Sequence, residues 1–166
     1  DRSFDNKFLE NLSADIYEIR SSGKDVIIIS SGAVNAGVNE LGLKKRPKDL
    51  ISLQTMAAVG NPILMKEYKK HITYENIAQV LITQEDLSNR KSYNNFHNTM
   101  EDLLSRGIIP IINENDVVSV NELKVRKKYH LNFTDNDILA ALIGASIKAE
   151  LLIILTDVDG VYTKHP

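Results

Sequence analysis

Ser31, Gly32 and Ala33 follow directly on an apolar run. A glycine at such a place lets the backbone approach a ligand closely. A helix opening just after it, over Ala33 to Gly37, offers free N–H groups that favour an anion. A phosphate or a carboxylate is the natural guest, and a tight strand-to-helix turn accounts for the same residues equally well. Asn113, Glu114, Asn115 and Asp116 place two amides and two carboxylates in succession after another apolar run. Thr134, Asp135, Asn136 and Asp137 repeat that chemistry ahead of a helical pattern. Thr83-Gln84-Glu85-Asp86 and Thr156-Asp157-Val158-Asp159-Gly160 complete the set. Polar residues of these types also serve turns, so any one cluster is ordinary. Two of them, Asn113 to Asp116 and Thr134 to Asp137, exceed what a turn requires.

Other chemistries lack support. The chain has no Cys, which removes disulfide scaffolds, thiolate catalysis and Cys-based metal sites together. His71, His97, His130 and His165 are scattered, so neither a His metal site nor a Ser-His-Asp triad has a local basis. No Gly-x-Gly-x-x-Gly and no P-loop follows any apolar run. The basic clusters Lys44 to Arg46 and Arg126 to Lys128 read as solvated turn and loop.

The elements that must position these clusters follow from periodicity. Phe8, Leu9, Leu12, Ile16 and Ile19 form one stripe of a helix from about Asp5 to Ser22, with Ser3 or Asp5 as cap. Val26 to Ile29, Ile77 to Ile82, Ile108 to Ile112 and Leu151 to Leu155 are short continuous apolar runs, which suit strands covered on both faces. Between them lie helical patterns. Leu50, Leu53, Met56 and Ala57 mark one; Ile63, Leu64 and Tyr68 mark another. Tyr93, Phe96, Met100, Leu103 and Leu104 form a third, and Ile138, Leu139, Leu142 and Ile143 a fourth, capped by Thr134 or Asp135. Val117 to Val120 and Leu123 to Val125 suggest a small hairpin. Strands alternating with helices predict a three-layer α/β/α sandwich with a mainly parallel sheet. Ligands bind such sheets beyond the carboxyl ends of the strands, where four of the five polar clusters fall, Thr134 to Asp137 being the exception.

Composition agrees. Twenty Lys+Arg against 22 Asp+Glu leave a net charge of −2, which argues against nucleic-acid binding through bulk positive charge. No apolar run approaches the roughly 20 residues needed to cross a bilayer, and no apolar signal core follows the N-terminus; a cytoplasmic domain without a membrane partner is expected. With no internal repeat or boundary, residues 1–166 read as one domain. A start at Asp1 within a helical pattern and a stop at Pro166 after a polar turn read as a segment of a longer polypeptide, with the fold incomplete at both ends.

VIIISSGAVNAG, MAAVGNPILM, AQVLIT, the Asp86 to Tyr93 stretch with Arg90, IIPIINENDVVSVNE, FTDNDILAALI and LLIILTDVDGVYTKHP, in that order, resemble the glutamate 5-kinases within the amino acid kinase family. The resemblance implies transfer of the γ-phosphoryl group of ATP, with Mg²⁺, to the side-chain carboxylate of L-glutamate, the first step of proline biosynthesis. A carboxylate is already a nucleophile at neutral pH, so in-line positioning and charge neutralisation carry such a reaction without a general base. By the same resemblance Ser31 and Gly32 belong to the glutamate-binding loop, Asp116 pairs with the glutamate α-ammonium, Asn113 shapes the same pocket, and Asn136 is a further substrate-binding position. Asp137 orients the catalytic lysines, and Thr156 and Asp157 contact the nucleotide, with Tyr162 beside the nucleoside. No protein residue is assigned as a metal ligand.

The family pattern also carries a lysine strand before the equivalent of Asp1, and a second lysine and a glycine-rich nucleotide loop after the equivalent of Pro166. The visible segment alone is therefore expected to be inactive. Arg126 to Phe133 lengthen the link to Asn136, and Thr134 stands where the family has Gly. That change bears on feedback inhibition by proline, which the resemblance also implies, as it does a homo-oligomer. Two other readings fit: a catalytically silent module that binds glutamate or proline, and the kinase domain of a bifunctional pyrroline-5-carboxylate synthase.

Overall fold

The computed structural model describes residues 4–119 and 135–155. Three parallel strands form its sheet in the order β1-β3-β2. These are β1 (Ile28–Ile29), β2 (Ile77–Ile82) and β3 (Ile109–Glu114). Ile28 and Ile29 stand opposite Ile111 and Ile112, while Ile77 to Ile82 run beside Ile109 to Glu114. The central strand is buried at all six positions, as a strand covered on both faces must be.

Alternation along the strands separates two cores. Ile28, Ile109 and Ile111 face a cluster with Leu9, Ile16, Leu64 and Tyr68, from helices α1 (Asn6–Ser21) and α3 (Leu50–His71), and with Ile72 just past the end of α3. Ile29, Val80, Ile82 and Ile112 face Phe96, Met100, Leu139 and Ile143, from α5 (Arg90–Ser105) and α6 (Asp135–Ser146). Helix, sheet and helix are thus stacked as the alternating pattern predicts.

Local chemistry explains the helix starts. Asp5 caps α1 by accepting from the Phe8 N–H at 3.0 Å, and Asp49 caps α3 by accepting from the Ser52 N–H at 2.9 Å. Asn89 caps α5 through the N–H groups of Lys91 and Ser92. Helix α2 (Ala33–Glu40) begins after Gly32, whose φ of +97° lies where L side chains are strained.

The structure departs from the sequence expectations in five places. The two helical patterns at 50–57 and 63–68 are one 22-residue helix, α3, which carries Pro62 in its interior. Proline lacks one N–H, and packing of this helix against both α1 and α2 holds it together across that gap. Thr83 to Asp86 opens a short helix, α4 (Gln84–Ser88), through a reciprocal capping box between Thr83 and Asp86. The β1 ladder is shorter than the apolar run Val26 to Ile29. Leu151 to Leu155, expected as a strand, carries no ladder, and all five side chains are exposed. Among the described residues this run pairs with none of the three strands. Asp116 to Val118 form a turn in place of the strand expected from Val117, with Val118 and Ser119 N–H groups donating to the Asn115 carbonyl. The rest of the expected hairpin and the Arg126 to Phe133 loop lie outside the described residues, as does Thr134.

Candidate functional site

Parallel pairing puts the C-terminal ends of β1, β3 and β2 on one rim. The Ser30 N–H donates to the Ile112 carbonyl at 2.8 Å, and the Asn115 N–H to the Ile82 carbonyl at 2.9 Å. Ser30 is thereby set beside Asn113, and the Ser31-Gly32 turn beside the Asn113 to Asp116 cluster.

Ser31 and Gly32 are exposed at this rim. Their turn delivers the chain into α2, whose first-turn N–H groups have no acceptor within the helix. Asp116 lines a small cleft with Val34, Leu50, Leu53, Gln54 and Ser119. Val34 belongs to the first turn of α2, so Asp116 stands against the helix that Gly32 opens. Asn113 is buried; its Nδ2 donates to Asn61 Oδ1 at 3.4 Å, and its Oδ1 accepts from the Glu114 N–H at 2.9 Å. Ser31, Gly32, Asn113 and Asp116 therefore gather on one rim.

Asn136 and Asp137 lie in the first turn of α6, on the sheet face that Ile82 and Ile112 cover. Both are half-buried, and the side-chain oxygen of Asn136 is buried without a hydrogen-bond partner. An unpaired buried acceptor is costly, and a donor from a ligand would relieve it. Thr156, Asp157 and Tyr162 lie outside the described residues.

A second, wider cleft of about 370 Å³ runs along the same rim. Thr83, Glu85, Asp86, Asn89, Ser92, Val118 and Ser119 line it. Two of its polar groups are committed: Asp86 to Thr83, and Asn89 to the start of α5.

Sequence reasoning missed the residues beneath the rim. The Tyr68 hydroxyl is 3.0 Å from Ser30 Oγ, and both side chains are buried. Burial raises the Tyr68 pKa from its ordinary value, and the Ser30 contact only partly opposes this. Helices α2 and α3 cross in backbone contact: a Cβ at Gly60 would stand 1.8 Å from the Ala33 carbonyl oxygen, and one at Gly37 2.0 Å from that of Met56. The available signal was Gly60-Asn61-Pro62, three poor helix formers inside a periodic apolar pattern, which implies a local reason for each.

Among the described residues, no group of three or more His, Asp or Glu could hold a metal ion, and no helix is long and apolar enough to cross a membrane.

A parallel sheet between helical layers, with polar loops gathered at its carboxyl rim, defines an α/β ligand-binding domain. The model of the amino acid kinase family matches residues 2–166, and the chain belongs to that family. It is 46% identical over 164 residues to a glutamate 5-kinase of Citrifermentans bemidjiense, covering 98% of this chain and 42% of the relative. It is 43% identical over 166 residues to a glutamate 5-kinase of Methanosarcina barkeri, covering 99% and 42%. To a glutamate 5-kinase of Streptococcus gordonii it is 40% identical over 168 residues, covering 100% and 43%. The chain thus spans less than half the length of these curated relatives.

Proposed function

We propose that this chain is the glutamate-binding part of an ATP-dependent glutamate 5-kinase, built as one domain over residues 1–166. The observation that carries the reading is 40–46% identity to glutamate 5-kinases along nearly the whole chain, joined to the gathering of Ser31, Gly32, Asn113 and Asp116 on the carboxyl rim. Asp116 supplies a carboxylate for the α-ammonium of glutamate. Ser31, Gly32 and the opening N–H groups of α2 suit an acidic group of the substrate. Asn113 is held by Asn61 beneath the rim, and the unpaired Asn136 oxygen awaits a donor.

The acceptor carboxylate attacks the γ-phosphorus of ATP, the bond from that phosphorus to the β,γ-bridging oxygen breaks, and ADP leaves. No proton need be removed from the nucleophile. Catalysis then consists of holding the two reactants in line and neutralising charge on the phosphoryl oxygens. Mg²⁺ supplies part of that neutralisation when bound with the nucleotide. Asp137, in the first turn of α6, takes the role of orienting the phosphate-contacting lysines, and Thr156 and Asp157 that of nucleotide contacts. Phosphorylation of glutamate in this way starts proline biosynthesis.

The test uses the full-length protein. ADP should form with L-glutamate and not with L-aspartate; equal turnover of both overturns the substrate assignment. Asp116→Asn should raise the KM for glutamate by about tenfold or more, as loss of a charge-assisted hydrogen bond does, and leave the KM for ATP unmoved.

A further inference from the structure

Helix α3 carries three polar side chains at seven-residue spacing: Gln54, Asn61 and Tyr68. Residues seven apart are nearly two full turns apart and share one helix face. Each of the three is hydrogen-bonded to a different piece of the rim. Gln54 Nε2 donates to the Ser119 carbonyl at 3.3 Å, beyond the Asn113 to Asp116 cluster. Asn61 Oδ1 accepts from Asn113 Nδ2 at 3.4 Å. Tyr68 meets Ser30 at 3.0 Å, directly before the Ser31-Gly32 turn.

The Tyr68 contact reaches beyond Ser30. Ser30 Oγ also lies 3.3 Å from the Ser31 carbonyl oxygen, which can only accept. Either hydroxyl can donate to the other, and Ser30 Oγ can in turn donate to the Ser31 carbonyl. A two-step relay therefore runs from the helix to the backbone of Ser31. The Asn61 contact works similarly: with its amide nitrogen held by Asn61 and its oxygen by the Glu114 N–H, the Asn113 side chain is fixed at both ends. Strand register seats Ser30 beside Asn113, so two adjacent loops are aligned to one rigid helix. The backbone contact of α3 with α2 at Gly60 sets its distance from that turn.

We infer that Gln54, Asn61 and Tyr68 are positioning residues: a polar stripe on α3 that holds the Ser31-Gly32 turn and the Asn113 to Asp116 loop in register for the substrate. They touch the loops and not the reacting atoms. The substrate part of this inference rests on the proposed glutamate site.

Tyr68→Phe in the full-length protein is the decisive variant, because it keeps the ring and removes only the hydroxyl. It should raise the KM for glutamate about tenfold, the scale of one buried hydrogen bond, with kcat and the KM for ATP within about twofold. Hydrogen exchange resolved by NMR supplies a readout that needs no activity. The Ser30 and Ala36 amides, which flank the turn and bond to Ile112 and Gly32, should exchange about tenfold faster, with Ile111 and Ile112 unchanged. Asn61→Ala should likewise raise the glutamate KM. A lowered melting temperature with both the glutamate KM and the exchange rates unmoved overturns the inference and leaves Tyr68 a packing residue. If the wild-type protein fails to phosphorylate glutamate, the proposed function falls, and the exchange measurement still decides the positioning role.

Discussion

Gly60 and Gly32 need the absence of a side chain for different reasons. At Gly60 the obstacle is the Ala33 carbonyl, 1.8 Å from where a Cβ would stand, and backbone cannot step aside as a flexible side chain can. At Gly32 the space is open, and the obstacle is the φ of +97°. Gly60→Ala should therefore destabilise by about 3 kcal/mol, the upper range of overpacking, and Gly32→Ala by about 1–2 kcal/mol, the strain of a left-handed backbone. Thermal or urea unfolding of the two variants checks the order. Tyr68 gives a pH prediction at the same scale. Its folded pKa is raised by burial, so its contribution is fully present below the ordinary tyrosine value near 10 and is lost as pH rises from there toward the folded value. Tyr68→Phe should show a shallower loss of stability above pH ~10 than the parent protein, measured by urea titration at each pH.

At the scale of elements, α3 is the part on which the rim depends, and its N-cap is testable in two ways. The Ser52 backbone N–H, followed by its side chain, holds the Asp49 carboxylate below its usual pKa. A lowered carboxylate pKa contributes stability above the unfolded value near 4 that disappears as pH falls through the folded value. Asn is as good a cap as Asp but does not titrate. Asp49→Asn should match the parent near neutral pH and lose less stability below pH ~4, whereas Asp49→Ala should lower the unfolding midpoint at every pH. Circular dichroism melts across pH 2–7 separate the two. A second tie links α1 to the approach to β2: Arg20 Nε donates to both Glu75 oxygens at 3.1 and 2.9 Å, and its Nη1 reaches Asp25 and the Lys24 carbonyl. Burial works against the Arg20 charge, yet the bonds to Asp25 and Glu75 outweigh it and its pKa is raised.

For the molecule as a whole, the sheet is thin for its helical layers. Three strands are described, and β1 contributes two residues. Leu151 to Leu155 present five exposed apolar side chains in succession, with Leu151 at 74% and Ile153 at 63% of full exposure. A short apolar run without a charge or proline is an association hazard. The 166-residue chain by itself should self-associate at micromolar concentration, and Ile153→Lys should shift sedimentation toward the monomer. A variant that sediments like the parent would show that this run is not the adhesive surface.

Element order and layer assignment were legible in the amino-acid sequence, because helix stripes, strand runs and caps are set by neighbours within a few positions. Asp5, Thr83 and Asn89 act on residues two or three positions away. The carboxyl-rim placement of Ser31, Gly32, Asn113 and Asp116 followed from the same local pattern. What only the tertiary structure decided were the partners across long separations. Gln54, Asn61 and Tyr68 meet groups 65, 52 and 38 positions away. Their seven-residue spacing could be seen in advance, but the loops that each would meet could not. The fusion of two helical patterns across Pro62 and the lack of a ladder at Leu151 to Leu155 belong to the same class. Propensity proposes a helix or strand, and its fate depends on whether a packed face or a hydrogen-bonded edge is there to receive it.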